Sequence, residues 1–372
     1  MNLSLSTCFS FGLLSTLAVF ADAAAEVVVG DRSVGCAEDP ACINRLHPDI
    51  PMAANANPGE RIVFFGRDAF DLTLDPDKFS SAKAIPREGV GIVHALTGPV
   101  FINGAKAGDV LAVTIEAFAP DDVGWTKAGP FGFAGDQFGT DERFIVWRIN
   151  DDYAVSDALP GVRIPNASFP GVVTTLPDDT LLADVLARET QLLESGGVVM
   201  NPDPGEAQPT SVCGLEGTKP SECLRTIPPR EHGGNMDIRY ITTGTTVYLP
   251  CYIEGCGLAV GDFHYAQGDG EVAGTAIEMG GRMTVTTRIV DDPPDLSRGP
   301  HYEGPATVLG IPSERFYAVT GFPLKEKGDV PADLAYLDSP KIAGLSNLSA
   351  DINLAARNAL AAIIDYIVSE YG

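Results

Sequence analysis

Five histidines serve a chain of 372 residues, His47, His94, His232, His264 and His301, so the company each keeps is informative. The densest company lies between Pro229 and Glu278. It opens Arg230-Glu231-His232-Gly233-Gly234-Asn235-Met236-Asp237 and continues with Gly261-Asp262-Phe263-His264-Tyr265, then Asp269-Gly270-Glu271 and Glu278. Residues two apart on a strand share a face, so Asp262 is expected beside His264, and Asp269 beside Glu271. Gly233 and Gly234 permit a tight backbone fold that would bring His232 and Asp237 to one point. Imidazole and carboxylate together suit zinc or another divalent ion. Such an ion polarises a carbonyl and makes water more acidic, and a nearby Glu can carry the proton from water to a leaving group. A plainer possibility stands beside this one. Asp and Gly are ordinary in turns, and His232 and His264 would then be hydrogen-bonded structural residues or subunit contacts.

Other catalytic templates fit poorly. GxSxG, GxGxxG and P-loop signatures are absent. Of seven cysteines, Cys8 lies in the N-terminal apolar segment. The other six form three close pairs, Cys36 with Cys42, Cys213 with Cys223 and Cys251 with Cys256, and no CxxC occurs. Short disulfide loops suit an oxidising compartment, although six cysteines allow fifteen pairings. The run Phe11–Phe20 followed by Ala21-Asp22-Ala23 and Ala23-Ala24-Ala25 reads as a signal peptide over residues 1–24. A secreted or periplasmic protein is expected, with no membrane attachment after cleavage. The alternative is a membrane anchor, for which the run is shorter than the ~20 apolar residues needed. Net charge is −25, which disfavours nucleic acid and anionic membranes and says nothing against a neutral substrate.

The elements that must position these groups are mostly strands. Gly (40) and Pro (28) are plentiful, so turns are dense. One pattern recurs, a Gly turn followed by alternating apolar residues, at Pro58–Phe64, Ala107–Ile115 and Thr243–Leu249, and Met283–Ile289 adds a further strand. A sandwich or barrel follows. Thr180–Ser195 reads as a short helix. Residues 200–225 form a Pro/Gly-rich soft boundary. A last helix, capped by Ser349, carries Leu360, Ile363, Ile364, Ile367 and Val368 at helical spacing.

Several blocks resemble the acetamidase/formamidase family: PPREHGGNMDIR (228–239), GDFHYAQGDGEVAGTAIE (261–278), HPDIPMAANANPGERIVFFGRDAFD (47–71) and HALTGPVFINGAKAGDVLAVTIEAF (94–118). GPFGFAGDQF (129–138) and PGVRIPNASFPGV (160–172) link them. These blocks run, with gaps, from about 47 to 290, within one family-like region taken as 25–372. The resemblance implies a mainly β fold of jelly-roll-like β-sandwich domains with a smaller α+β part and a C-terminal helix. It also implies hydrolysis of formamide, acetamide or similar short neutral amides, self-association into a homo-oligomer, and a divalent metal, zinc ahead of calcium. Carried onto this chain, His232, Asp237, Asp262 and His264 are the expected metal ligands. Glu271, Glu278 and His94 are the expected catalytic groups, and Asp68 and Tyr265 the substrate contacts. Tyr248, Tyr252, Phe263 and Tyr265 line a pocket or fill the core. Two other functions remain open: a secreted, non-catalytic ligand-binding jelly-roll protein, and a metal-dependent oxygenase. The second lacks the neighbouring histidine it would need, since Phe263 and Tyr265 flank His264.

Overall fold

Period-two apolar patterning yields strands wherever one face meets a core. The computed structural model describes residues 26–72, 92–130, 142–195, 199–271, 273–310, 314–325, 347–348 and 352–371. The signal segment 1–24, Ser349 and most of block 129–138 lie outside the described residues. The first strands are β1 (Val27–Val29), β2 (Cys42–Ile43), β3 (Ala54–Ala56), β4 (Arg61–Gly66) and β5 (Leu96–Ile102). Next come the long β6 (Val110–Ala128), β7 (Arg143–Ile149), β8 (Tyr153–Val155), β9 (Ile164–Pro165) and β10 (Phe169–Thr174). Helices α1 (Asp179–Glu194) and α2 (Thr210–Cys213) precede β11 (Gly233–Asn235), β12 (Thr246–Pro250), β13 (Cys256–His264) and β14 (Glu278–Ile289). The chain continues through β15 (His301–Pro305), β16 (Arg315–Val319), β17 (Leu324–Lys325), β18 (Asn347–Leu348) and α3 (Ile352–Tyr371). All four strands expected from sequence lie within β4, β6, β12 and β14.

The fold is mainly β and mostly antiparallel; β1 with β4 and β3 with β5 are the parallel pairs. On one side β10, β11, β13 and β5 are joined; on the other β14 holds β4 and β6, and β6 holds β12. Among the described residues the two sides share a single strand-ladder pair, His264 opposite Glu278. One core draws Phe64, Val113, Val260, Leu249 and Val285 from both sides, as in a sandwich. A second core packs Leu181, Leu182 and Val185 of α1 against Leu96, Val172 and Ala259, and supplies the α+β part. Asp178 caps α1 by accepting the Leu181 N–H. A buried ion pair, Arg230 with Glu189 at 2.8 Å, ties α1 to the chain entering β11.

The three sequence-adjacent cysteine pairs form the disulfides Cys36–Cys42, Cys213–Cys223 and Cys251–Cys256. Residues 200–225 pack onto the N-terminal segment: Asn44 donates to the Glu206 carbonyl, and Leu46 bridges Leu224. The last helix docks differently from its apolar spacing. Leu354 and Ala362 are buried while Leu360, Ile364, Ile367 and Val368 are exposed. Its small-residue face seats Ala355 against Gly321, and Tyr366 stacks on Tyr317 at 3.8 Å. Among the described residues no helix is long and apolar enough to cross a membrane.

Candidate metal centre

The single pair that joins the two sides is also where acids gather. His264 ends β13 and Glu278 begins β14. His264 Nε2 stands 3.2 Å from Glu278 Oε2, 3.4 Å from Asp262 Oδ1 and 4.0 Å from Glu271 Oε1. Its Nδ1 faces Asp237 Oδ1 at 3.9 Å. His94 approaches from the other side, with Nε2 3.7 Å from Asp262 Oδ2. Two triplets, Asp237-Asp262-His264 and His264-Glu271-Glu278, each hold their ligand atoms within 4.8 Å of one another.

The backbone is bent to achieve this. Asp237 (φ 50°), Asp262 (φ 54°) and Glu271 (φ 42°) all sit in the left-handed region, which non-glycine residues seldom occupy and which concentrates at functional sites. The register of β14 against β6 slips between Met279 and Gly281, beside Glu278, as bulges near sites do. Gly171 of β10 forms the floor. A methyl there would lie 2.6 Å from Asp262 Oδ2, 2.7 Å from Asp237 Oδ1 and 2.8 Å from His264 Cε1. Its carbonyl accepts the N–H groups of Met236 and Asp237, which brings Asp237 in.

Electrostatics argue for a cation. Asp237, Asp262, Glu271 and Glu278 surround one imidazole, so full ionisation would bury several uncompensated negative charges at several kcal/mol each. Burial pushes Asp237 up to about 7 and Glu271 up to about 9, with neighbouring acids adding to both. Burial also raises Glu278. Burial opposes charge on His264, but Glu278 and Asp262 outweigh it and lift the ring well above its ordinary value. Against its own burial, Asp262 is held below the usual carboxylate range by His94 and His264. Burial lowers His94. Both ring nitrogens of His264, Asp237 Oδ1 and Glu278 Oε2 are buried without a hydrogen bond among the described residues. Donor atoms about 3.4 Å apart are what a tetrahedral zinc with bonds of about 2.1 Å draws together. The residues therefore fit a divalent ion.

The expected site residues divide. Asp237, Asp262, His264, Glu271, Glu278 and His94 meet. His232 does not: β11 pairs with β10 in an extended register, Gly233 opposite Thr174 and Asn235 opposite Val172, instead of folding tightly. His232 thus falls at the Thr174 end of β10 and His264 at the Phe169 end, about 16 Å apart along the strand. The His232 ring is buried, contacts Thr174 Oγ1 at 2.7 Å and is pushed down to about 3 by burial and Arg230. Asp269 also leaves its expected partner, pairing with Arg239 at 2.9 Å on the surface. Tyr265 is a core residue: it is fully buried, and its hydroxyl donates to the Asn150 carbonyl at 2.9 Å, leaving no face for substrate. Phe263 is likewise core, and Tyr248 donates to Glu303.

Two residues escaped sequence reasoning. Gly171 carried a usable signal, a glycine inside a strand, which marks close approach. Thr226 carried none. Its hydroxyl accepts the His94 N–H at 2.6 Å and meets His94 Nδ1 at 3.1 Å, which orients the ring.

Asp68 lies just beyond β4 and accepts the N–H groups of Phe70 and Leu72. Burial pushes its carboxyl up to about 7, with Glu278 adding. A carboxyl raised by folding stabilises the fold fully below its unfolded pKa near 4, and that stability is lost as pH rises through the folded value. Asp68, Asp237 and Glu271 all act in this direction, whereas the depressed Asp262 matters only in acid. Chelated protein is expected to melt on the order of 5 °C lower at pH 8.5 than at pH 5.5, with a divalent ion shrinking the difference. Scanning calorimetry checks this; a melting temperature that rises across that range contradicts it.

Comparison with known proteins places these features. The sequence profile of the Acetamidase/Formamidase family matches residues 31–372. A formamidase of Methylophilus methylotrophus is 34% identical over 269 residues, 67% of this chain and 64% of that one. An acetamidase of Mycolicibacterium smegmatis is 35% identical over 264 residues, 64% of this chain and 63% of that one. The matched part thus spans a little under two thirds of these relatives' length. Among solved structures, the gamma lactamase from Delftia acidovorans superposes with a TM-score of 0.66 at 27% identity, covering 94% of this chain and 84% of that one. An acetamidase from Bacillus halodurans shares the fold, with a TM-score of 0.54 at 22% identity over 75% of this chain and 77% of its own.

Proposed function

The chain belongs to the acetamidase/formamidase family, and from that premise we propose that it hydrolyses small aliphatic amides to a carboxylate and ammonia. The observation that carries this reading is the convergence of His264 with Asp237, Asp262, Glu271 and Glu278 at the one pair joining β13 to β14. Asp237, Asp262 and His264 would hold a divalent ion, and Glu271 and Glu278 border the same imidazole. When bound, the ion supplies Lewis acidity to a carbonyl and to water. Zinc is favoured over calcium, because calcium takes oxygen ligands and this site centres on an imidazole with both nitrogens unsatisfied.

The chain's own groups divide the remaining work. The amide nitrogen must leave protonated, and water must lose a proton to become the attacking oxygen. Glu271 is placed to move that proton. Its side chain is 18% accessible, against 1–4% for His264, Glu278 and Asp262; beside a bound cation it would be the carboxylate that takes water's proton and, once protonated, the acid that passes it to the nitrogen. Glu278 is anchored by the Ala276 N–H at 2.9 Å and holds its remaining oxygen toward His264. His94, set by Thr226, keeps a neutral imidazole against Asp262. The acyl product departs as a carboxylate and the nitrogen as ammonium, so water's atoms are fully accounted for.

We also place the protein outside the cytoplasm, secreted or periplasmic, on the apolar N-terminal run and the three disulfides. The direct test of function is ammonia release from formamide, acetamide and propionamide by the purified mature protein. Release from at least one supports the reading; release from none removes it.

A further inference from the structure

Glu271, the proton carrier of the reading above, stands on a turn whose flanks are fixed and whose middle is not. On the flanks, the Ile277 N–H donates to the Ala266 carbonyl at 3.0 Å, and Gln267 Nε2 donates to the Asp237 carbonyl at 2.9 Å. The Thr275 hydroxyl bonds both the N–H and the carbonyl of Lys127, at 2.9 Å and 2.7 Å. Between them, Gly268-Asp269-Gly270-Glu271 reverses on itself, with the Glu271 N–H on the Gly268 carbonyl at 3.2 Å. Gly270 (φ 80°) takes the left-handed backbone that this reversal needs. Ala266, Gln267, Gly268 and Thr275 border a cavity of about 400 Å³, so the turn is not pressed onto a core on that side.

One side chain ties the turn down. Asp269 Oδ1 accepts from Arg239 Nε at 2.9 Å, and its Oδ2 accepts from the Tyr240 hydroxyl at 3.2 Å. Arg239 closes the ring by donating a second N–H to that hydroxyl at 3.0 Å, and its guanidinium lies 4.8 Å from the Tyr240 ring centre. Among the described residues no other side chain of 268–271 makes a hydrogen bond; Glu271 itself comes within 4.0 Å of His264. Sequence places both ends of the tie beside the centre: Arg239 follows Asp237 by two residues, and Asp269 precedes Glu271 by two. The staple thus joins the segment of a candidate metal ligand to the segment of the proton carrier.

We propose that Arg239, Tyr240 and Asp269 are positioning residues whose staple holds Glu271 within reach of the His264 centre. The inference rests on the amidase reading and adds the groups that set its proton carrier. An exposed ion pair contributes little to overall stability, yet a reacting group displaced by about 1 Å can cost on the order of a hundredfold in rate. Arg239 and Asp269 are 37% and 65% exposed, so dissolved salt reaches the pair and weakens it.

Asp269→Ala is expected to lower kcat for formamide about tenfold at low salt and to change KM less than about twofold, because substrate binding does not require the proton carrier. The melting temperature should stay level. Raising the ionic strength should bring the kcat of the unaltered protein down toward that of the variant and leave the variant unmoved. The deciding comparison adds Asp269→Ala to Glu271→Gln. No further loss is expected there, because both changes remove the same proton transfer. A kcat indifferent to Asp269→Ala, or an equal loss on top of Glu271→Gln, overturns the inference. If the unaltered protein cleaves formamide in that event, the amidase reading survives; if it cleaves no amide, both fall.

Discussion

Glu271→Gln is expected to lower kcat for acetamide by about 10²–10⁴-fold, the usual worth of a positioned proton-transfer group. The substitution keeps size and hydrogen-bonding capacity and removes the titratable proton. Burial and Asp237 push Glu271 up to about 9 in the ion-free protein, so a proton that it takes from water is one that it can carry to the departing nitrogen. It is also more accessible than Asp262, His264 and Glu278. A glutamine cannot complete that transfer. Because one buried acid is removed, thermal stability at alkaline pH should stay level or rise, which separates the kinetic loss from misfolding. A non-catalytic binding protein would show no turnover to lose and would keep its ligand after this change. A fall of less than threefold would remove Glu271 from the chemistry.

Gly171→Ala is the second large effect, and it replaces no ionisable group. The added methyl would meet Asp262 Oδ2, Asp237 Oδ1 and His264 Cε1, each closer than 3.0 Å. These three side chains are packed at the seam of β10 and β13, where Phe169 stands opposite His264, and cannot all withdraw. At least one carboxylate must swing away, so the donor set opens. Metal affinity is expected to fall at least 10–100-fold, as when the groups that orient metal ligands are lost, and turnover should fall with it. Excess zinc should restore part of the activity, because the ligands themselves remain. Unchanged affinity, measured by competition with a chelating dye, would show that the floor of the cluster lies elsewhere.

How far the sequence could be read follows from which contacts are local. The Asp262-x-His264 spacing is a short-range feature, and both groups do reach the cluster. The alternation in Met283–Ile289 sits inside β14 because a half-buried strand imposes it. The apolar spacing of the last helix located α3 but not its buried face, since the helix approaches Gly321 so closely that the Ala355 carbonyl leaves no room for a side chain there. His232 was misplaced for a related reason. Two glycines permit a tight turn, but they also permit the extended pairing with β10 that the structure adopts, and only the distant partner strand decides. Thr226 meets His94 across 132 residues of chain, beyond any local pattern. Tyr265 and Asp269 show the same limit: strand alternation gives a face, and bulges and turns decide what that face meets.

On the proposal made above, His264 and its four acids form a metal-dependent amide-cleaving centre. The measurement that tests it most directly is ammonia release from formamide by protein stripped of metal, verified by elemental analysis, then titrated with zinc. The account requires that activity vanish on stripping and return with a break near one ion per chain. Full activity in verified metal-free protein would contradict it.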